Sequence, residues 1–92
     1  MKQITIGQFL DFTNIYVPLY IEDEFNRYEP FEGRPQELRK FFMENDNGKY
    51  QVLDCPIDYI RNVPGGHFAD DEKKPNSIIL GIGFENWKKY FL

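Results

Sequence analysis

The sequence predicts an α+β fold: a small, mostly antiparallel sheet of three or four strands, with two or three short helices packed mainly on one face. Three observations carry that expectation. The longest apolar run, Asn76-Ser77-Ile78-Ile79-Leu80-Gly81-Ile82-Gly83-Phe84, is rich in β-branched residues and reads as a central strand buried on both faces. The stretch from Ile15 to Asp23 alternates with period two. Two further stretches carry helix-start signals followed by helical spacing of apolar residues. The chain has 92 residues and no repeat, low-complexity tract or linker, so residues 1–92 are expected to be a single domain.

In chain order, Thr5 is placed to cap a first helix. Gln8, three residues on, completes a capping box, with Ile4 and Phe9 as the flanking apolar pair. Thr13-Asn14 ends this helix, and Phe9, Leu10 and Phe12 would face the core. In the strand that follows, Val17, Leu19 and Ile21 point one way and Tyr16 and Tyr20 the other. Pro18, which lacks an N–H, suggests an edge position or an early bulge. Glu24-Phe25-Asn26-Arg27 is a turn, with Asn26 suited to positive φ. Tyr28 to Glu32 would return antiparallel, with Pro30 again marking an edge.

Pro35 opens a second helix, where its missing donor costs nothing. Leu38, Phe41 and Phe42 form its buried stripe, and Asn47-Gly48 stops it. Tyr50 to Cys55 is expected as a third strand, interrupted by Pro56, with Ile57 to Val63 as a short extended piece or turn. Residues 63–75 form one long loop. After the central strand, Glu85 to Leu92 makes about two helical turns, with Trp87, Tyr90 and Phe91 packing back on the sheet. Gly81 and Gly83 are expected to give clearance for the second helix and the Trp87 segment.

Composition narrows the function. The net charge of −4 argues against nucleic acid as the direct partner, because phosphate neutralisation needs a basic surface. The acidic excess is N-terminal: residues 1–32 carry six acids and two bases. A single cysteine, Cys55, excludes an internal disulfide framework and fits a reducing compartment. No signal-peptide apolar region and no apolar run of membrane-spanning length is present, so the expectation is a cytoplasmic protein with no membrane association.

Ile4-Thr5-Ile6-Gly7-Gln8-Phe9-Leu10, the strand Val17 to Asp23, and Phe31-Glu32-Gly33 leading into Glu37-Leu38 together resemble small uncharacterised proteins of phages and integrative elements of gut Firmicutes. The resemblance covers roughly the first 40 residues. It implies a mobile-element accessory protein, a context that includes small inhibitors of host defence enzymes. It carries no catalytic residues with it.

The most informative surface is the acidic–aromatic hairpin, in which Glu22, Asp23, Glu24, Phe25, Tyr28, Glu29, Phe31 and Glu32 are the candidate interaction residues. Carboxylates steer towards a basic partner and aromatics supply buried anchors. A basic groove that normally holds nucleic acid would suit, since spaced carboxylates imitate phosphates. The plainer alternative is an exposed hairpin whose aromatics pack on Phe41 or Trp87.

Other constellations are weaker. His67 with Asp70 and Asp71, next to Glu72, has the donor types of a metal site, but Lys73-Lys74 partly neutralise it and a solvated turn is preferred. Cys55 with His67 has the composition of a thiol–base pair, yet nothing in the sequence depresses the Cys55 pKa, which favours a buried structural thiol. Asp54 and Asp58 would need a cleft that a domain of this size has little room for. Pro64-Gly65-Gly66 is a turn rather than a phosphate loop. A basic face from Arg34, Arg39, Lys40, Lys73-Lys74 and Lys88-Lys89 is a third-ranked nucleic-acid surface. The expected function is therefore a non-enzymatic interaction domain without a cofactor or metal, binding and inhibiting another protein. A small metal- or thiol-dependent enzyme centred on His67 is one alternative. A structural or assembly module that homodimerises through an edge strand is another.

Overall fold

A computed structural model of the chain describes residues 3–12, 17–45, 50–67, 73–74 and 76–92. Its first helix, α1 (Ile6–Phe12), begins as the capping box requires. The Thr5 N–H donates to Gln8 Oε1 at 2.9 Å, and the Gln8 N–H donates to Thr5 Oγ1 at 3.2 Å. Leu10 is buried and Phe9 half-buried, but Phe12 lies outside the core at 85% exposure. It stands two positions after Leu10, about 200° round the helix, so both cannot face inward.

Strands β1 (Leu19–Asp23) and β2 (Phe31–Gly33) form the expected antiparallel pair. Asn26 adopts φ 53°, the left-handed conformation foreseen for it. Helix α2 (Pro35–Glu44) starts with Pro35 in its first turn and buries Leu38 and Phe42. Phe41 is exposed, although its ring meets Phe31 and Phe42. The expected stop at Asn47-Gly48 lies outside the described residues; the helix itself ends at Glu44, and Asn45 Nδ2 donates to the Phe41 carbonyl at 2.9 Å.

The third strand expected over Tyr50 to Cys55 is instead a 3-10 turn, Val52–Asp54. The Cys55 N–H closes it on the Val52 carbonyl at 2.9 Å, which buries both residues on one side. The extended segment comes later, as β3 (Tyr59–Val63). Within residues 63–75, β4 (Gly66–His67) and β5 (Lys73–Lys74) pair antiparallel, so that loop has a small ladder of its own. The chain then runs through β6 (Ser77–Ile82) into α3 (Phe84–Phe91).

The main sheet has the order β2-β1-β6-β3. Strand β6 is central, as expected, but it runs parallel to β1, from Leu19↔Ile78 to Asp23↔Ile82, and antiparallel to β3. The sheet is therefore mixed, with two of its three pairings antiparallel as expected and one parallel. A hairpin cannot join β1 to β6. The chain returns from one to the other through β2, α2, the 3-10 turn and β3, which is the crossover a parallel pair demands. Strand β1 is interior, not an edge. Pro18 sits just before it, where the missing N–H breaks no ladder bond, and its carbonyl still accepts the Ile78 N–H at 3.1 Å.

Leu19 and Ile21 with Leu80 and Ile82 form the buried side of the sheet, closed by Ile6, Leu38, Phe42, Val52 and Trp87. The register places Tyr20, Glu22, Ile79, Gly81, Tyr59 and Arg61 on the other face. Ile79 there is only half-buried, so β6 is not fully covered on both sides. Gly81 of β6 and Gly83, which links β6 to α3, serve this second face. A Cβ at Gly81 would fall inside the ring of Tyr59, its cross-strand neighbour, and a Cβ at Gly83 would collide with the Asp58 carboxylate. The clearance is for Tyr59 and Asp58, not for α2 or Trp87.

Gly81→Val should therefore lower stability by about 1–3 kcal/mol through overpacking. In the Tyr59→Ala background the same substitution should cost clearly less, because the obstructing ring is gone. Denaturant midpoints of the four proteins of that cycle check it; equal losses in both backgrounds would refute the assignment.

Candidate interaction surface

The loop between β1 and β2 is organised by Asp23. Period-two alternation from Leu19 and Ile21 turns Asp23 inward, and it is fully buried. Its Oδ1 accepts the Arg27 N–H at 2.9 Å and the Tyr28 N–H at 3.4 Å, while its carbonyl accepts the Asn26 N–H at 3.1 Å. This is an aspartate-centred turn, with the carboxylate satisfying backbone donors that a hairpin of this length leaves unpaired. Its Oδ2 is buried with no hydrogen-bond partner among the described residues.

Glu24 fixes the outer side of the loop. Its N–H donates to the Ile82 carbonyl and its Oε1 accepts the Phe84 N–H, both at 2.9 Å. Asp58 accepts the Gly83 N–H, so two carboxylates hold the first N–H groups of α3, where the helix dipole also favours negative charge. The rings complete the support. Phe25 tilts against Phe84 at 5.9 Å, and the Arg27 guanidinium lies 4.9 Å from the Phe84 ring centre and 5.3 Å from that of Phe25. Tyr28 stacks on Trp87 at 5.9 Å. Phe31 sits among Phe41, Phe42, Trp87 and Phe91.

The eight sequence-predicted residues thus divide. Asp23 is internal, Phe31 packs against the core, and Glu22 and Glu24 are engaged in intramolecular hydrogen bonds. Phe25, Tyr28, Glu29 and Glu32 are exposed, with Phe25 at 57%. Sequence reasoning gave no role to Arg27, which braces Phe25, and weighed Asp58 only as half of a carboxylate pair, whereas it caps α3 from a different segment.

On the open face, the Tyr59 hydroxyl donates to Glu22 Oε1 at 2.9 Å, and Arg61 reaches the same oxygen at 3.6 Å. Burial of the ring, and then the hydrogen bond to Glu22, raise the Tyr59 pKa above its usual value.

The remaining candidates fare differently. Cys55 is fully buried, and its thiol is pushed up to about 12 by burial and then by the charge of Asp58, against a smaller opposing effect of Lys89. Such a thiol is neutral near pH 7 and a poor nucleophile there. His67 belongs to β4, while Asp70 and Asp71 lie outside the described residues. Among the described residues no three metal-ligating side chains converge. Asp58 is committed to Gly83 and to Gln3 Nε2, while Asp54 is exposed in the 3-10 turn. Of the basic residues, Arg39 pairs with Asp11 and donates to the Gly7 carbonyl, and Lys88 stands over Phe84. No helix among the described residues is long and apolar enough to cross a membrane.

Comparisons with protein-family models, with curated proteins and with solved structures find no match.

Proposed function

We propose that the chain is a non-enzymatic interaction domain that docks onto another protein through the loop between β1 and β2. One observation carries the reading: Glu24 to Pro30 are all exposed, yet the loop is anchored at Asp23, Glu24, Phe25, Arg27 and Tyr28. A loop already held in shape loses little conformational entropy on binding, and its exposed Phe25 and Tyr28 are of the type that dominates binding energy. Glu29 and Glu32 supply charge beside them, which favours a basic partner surface. The resemblance to phage and mobile-element proteins supports the sharper form, in which the partner is a host defence or nucleic-acid-processing protein that is inhibited when its basic groove is covered. The buried, unpaired thiol of Cys55 supports a reducing, cytoplasmic setting.

The residues to vary are exposed ones outside the loop's hydrogen-bonded supports: Phe25, which touches Phe84 and Arg27 only through its ring, and Glu29 and Glu32. Reversing Glu22, Asp23 and Glu24 would break the loop's own supports and confuse folding with binding. Phe25→Ala and the pair Glu29→Lys with Glu32→Lys should each weaken binding to a partner recovered on the immobilised parent chain. The expected loss for Phe25→Ala is about tenfold or more, or about 1.4 kcal/mol. Thermal melts should stay close to the parent for the glutamate pair, while Phe25→Ala also gives up the ring contact with Phe84 and is read beside that pair. Unchanged recovery and affinity with both variants would refute the docking surface.

A further inference from the structure

Arg27 is the one cation of the loop between β1 and β2, and the fold leaves its charge unanswered. The two carboxylates that precede it are committed to backbone donors. Asp23 Oδ1 accepts the Arg27 and Tyr28 N–H groups, and Glu24 Oε1 accepts the Phe84 N–H. Among the described residues the guanidinium has no hydrogen-bond or ion-pair partner. What holds it is aromatic: it stands 4.9 Å from the Phe84 ring centre and 5.3 Å from that of Phe25. Lys88, one turn into α3, places its ammonium 5.5 Å from the same Phe84 ring centre. It too has no ion-pair partner among the described residues. Two exposed cations therefore share one ring, beside a Phe25 that is itself exposed.

We propose that Arg27 receives a single carboxylate of the partner protein, with Lys88 adding charge beside it. The proposal rests on the docking reading above and names the group that the loop recognises. Rings hold a guanidinium without using its N–H donors, so the fork remains available while the side chain's freedom is already reduced. A planar carboxylate matches that fork with two parallel hydrogen bonds. Charge selects the class of anion. Asp23, Glu24 and Glu29 flank Arg27 in the chain, so a doubly charged phosphate or a nucleic-acid strand meets repulsion that a single carboxylate meets only in part.

The exposed Phe25 supplies an apolar contact next to the fork, which suits an aspartate or glutamate beside an apolar residue of the partner. The docking surface is then bipolar, with Arg27 and Lys88 at the α3 side and Glu29 and Glu32 at the β2 side. A partner that fits carries a carboxylate set apart from its basic patch. A uniformly basic groove lacks that carboxylate and faces two unmatched cations, which makes the loop selective.

Hydrocinnamate, a carboxylate joined to a phenyl ring, is the probe, with its neutral amide and phenyl phosphate as controls. In NMR titrations of the full chain at low ionic strength, hydrocinnamate should shift the Arg27 Nε–H and the Phe25 amide saturably, and bind more tightly than either control. Arg27→Lys keeps a cation for the two rings but loses the fork, and should weaken that binding about tenfold. Lys88→Ala should weaken it about twofold, through the lost charge alone. Both variants should melt like the parent. No saturable shift at Arg27, an equal response to the amide, tighter binding of phenyl phosphate, or an Arg27→Lys chain that binds like the parent overturns the proposal. The same variants separate it from the docking reading on which it rests. If Phe25→Ala and the glutamate pair weaken partner binding while Arg27→Lys does not, docking stands and the carboxylate receptor falls. If none of the three changes partner binding while hydrocinnamate still binds at Arg27, the docking reading falls and the carboxylate site stands without it.

Discussion

Trp87→Ala should lower stability by about 3–5 kcal/mol, the usual loss when a large aromatic is cut from a packed interior. A domain of this length has about 5–14 kcal/mol in total, so the variant stands near the limit of folding. Trp87 is 2% exposed and carries the contact between α3 and the rest of the core. It stacks on Phe91 at 4.3 Å and meets Phe31 at 6.0 Å, and Tyr28 lies on it from the loop side. Removing it opens a cavity among rigid rings that cannot collapse to fill it. Trp87→Phe should cost much less than its loss of volume suggests. The Trp87 Nε1 is buried with no hydrogen-bond partner among the described residues, and phenylalanine has no such donor to bury. Urea unfolding followed by far-UV circular dichroism measures both, since Trp87 is the sole tryptophan and fluorescence would be lost. A Trp87→Ala midpoint within error of the parent would mean that α3 does not pack as described.

What could be read in the sequence was local. The Thr5–Gln8 box, Pro35 at the start of α2 and Asn26 at positive φ depend on groups a few residues apart, and each is present. The central place of β6 followed from its apolar length. What could not be read was long-range or depended on choosing between two periods. Val52 and Cys55 are three apart, which suits one side of a 3-10 turn, but flanked by Tyr50, Leu53 and Pro56 they pass for a strand. The parallel pairing of β1 with β6 joins residues almost sixty apart, and no local signal reports it. At the loop, the sequence marked Glu22 to Glu32 as one exposed surface and mistook its inner members. Glu22-Asp23-Glu24 looks like one acidic run, although the alternation through Leu19 and Ile21 already points Asp23 inward. A charge at the end of a strand is usually assumed to be solvated, and that assumption hid the residue on which the loop is built.

Asp23→Ala should cost about 2–4 kcal/mol, because hydrogen bonds to a charged acceptor contribute more than neutral ones and two N–H groups lose theirs together. The Arg27 and Tyr28 amides would have to turn to water, and the turn that presents Phe25 would open with them. Asp23→Asn separates the two properties of the side chain. It keeps an oxygen where Oδ1 accepts those two N–H groups and replaces the buried, unpartnered Oδ2 with an uncharged amide. If the turn depends on the acceptor, the asparagine variant retains most of the stability and the alanine variant does not. If it depends on the charge, the two fall together. Hydrogen exchange gives a site-specific readout: the Arg27 and Tyr28 amides should be protected in the parent and in Asp23→Asn, and exposed in Asp23→Ala at denaturant concentrations where β6 is still protected. Equal protection of those amides in all three proteins would show that the rings of Phe84 and Trp87, not the carboxylate, hold the loop. The docking proposal would then rest on aromatic packing alone, and Arg27→Ala, which removes the brace between Phe25 and Phe84, would become the variant that loosens it.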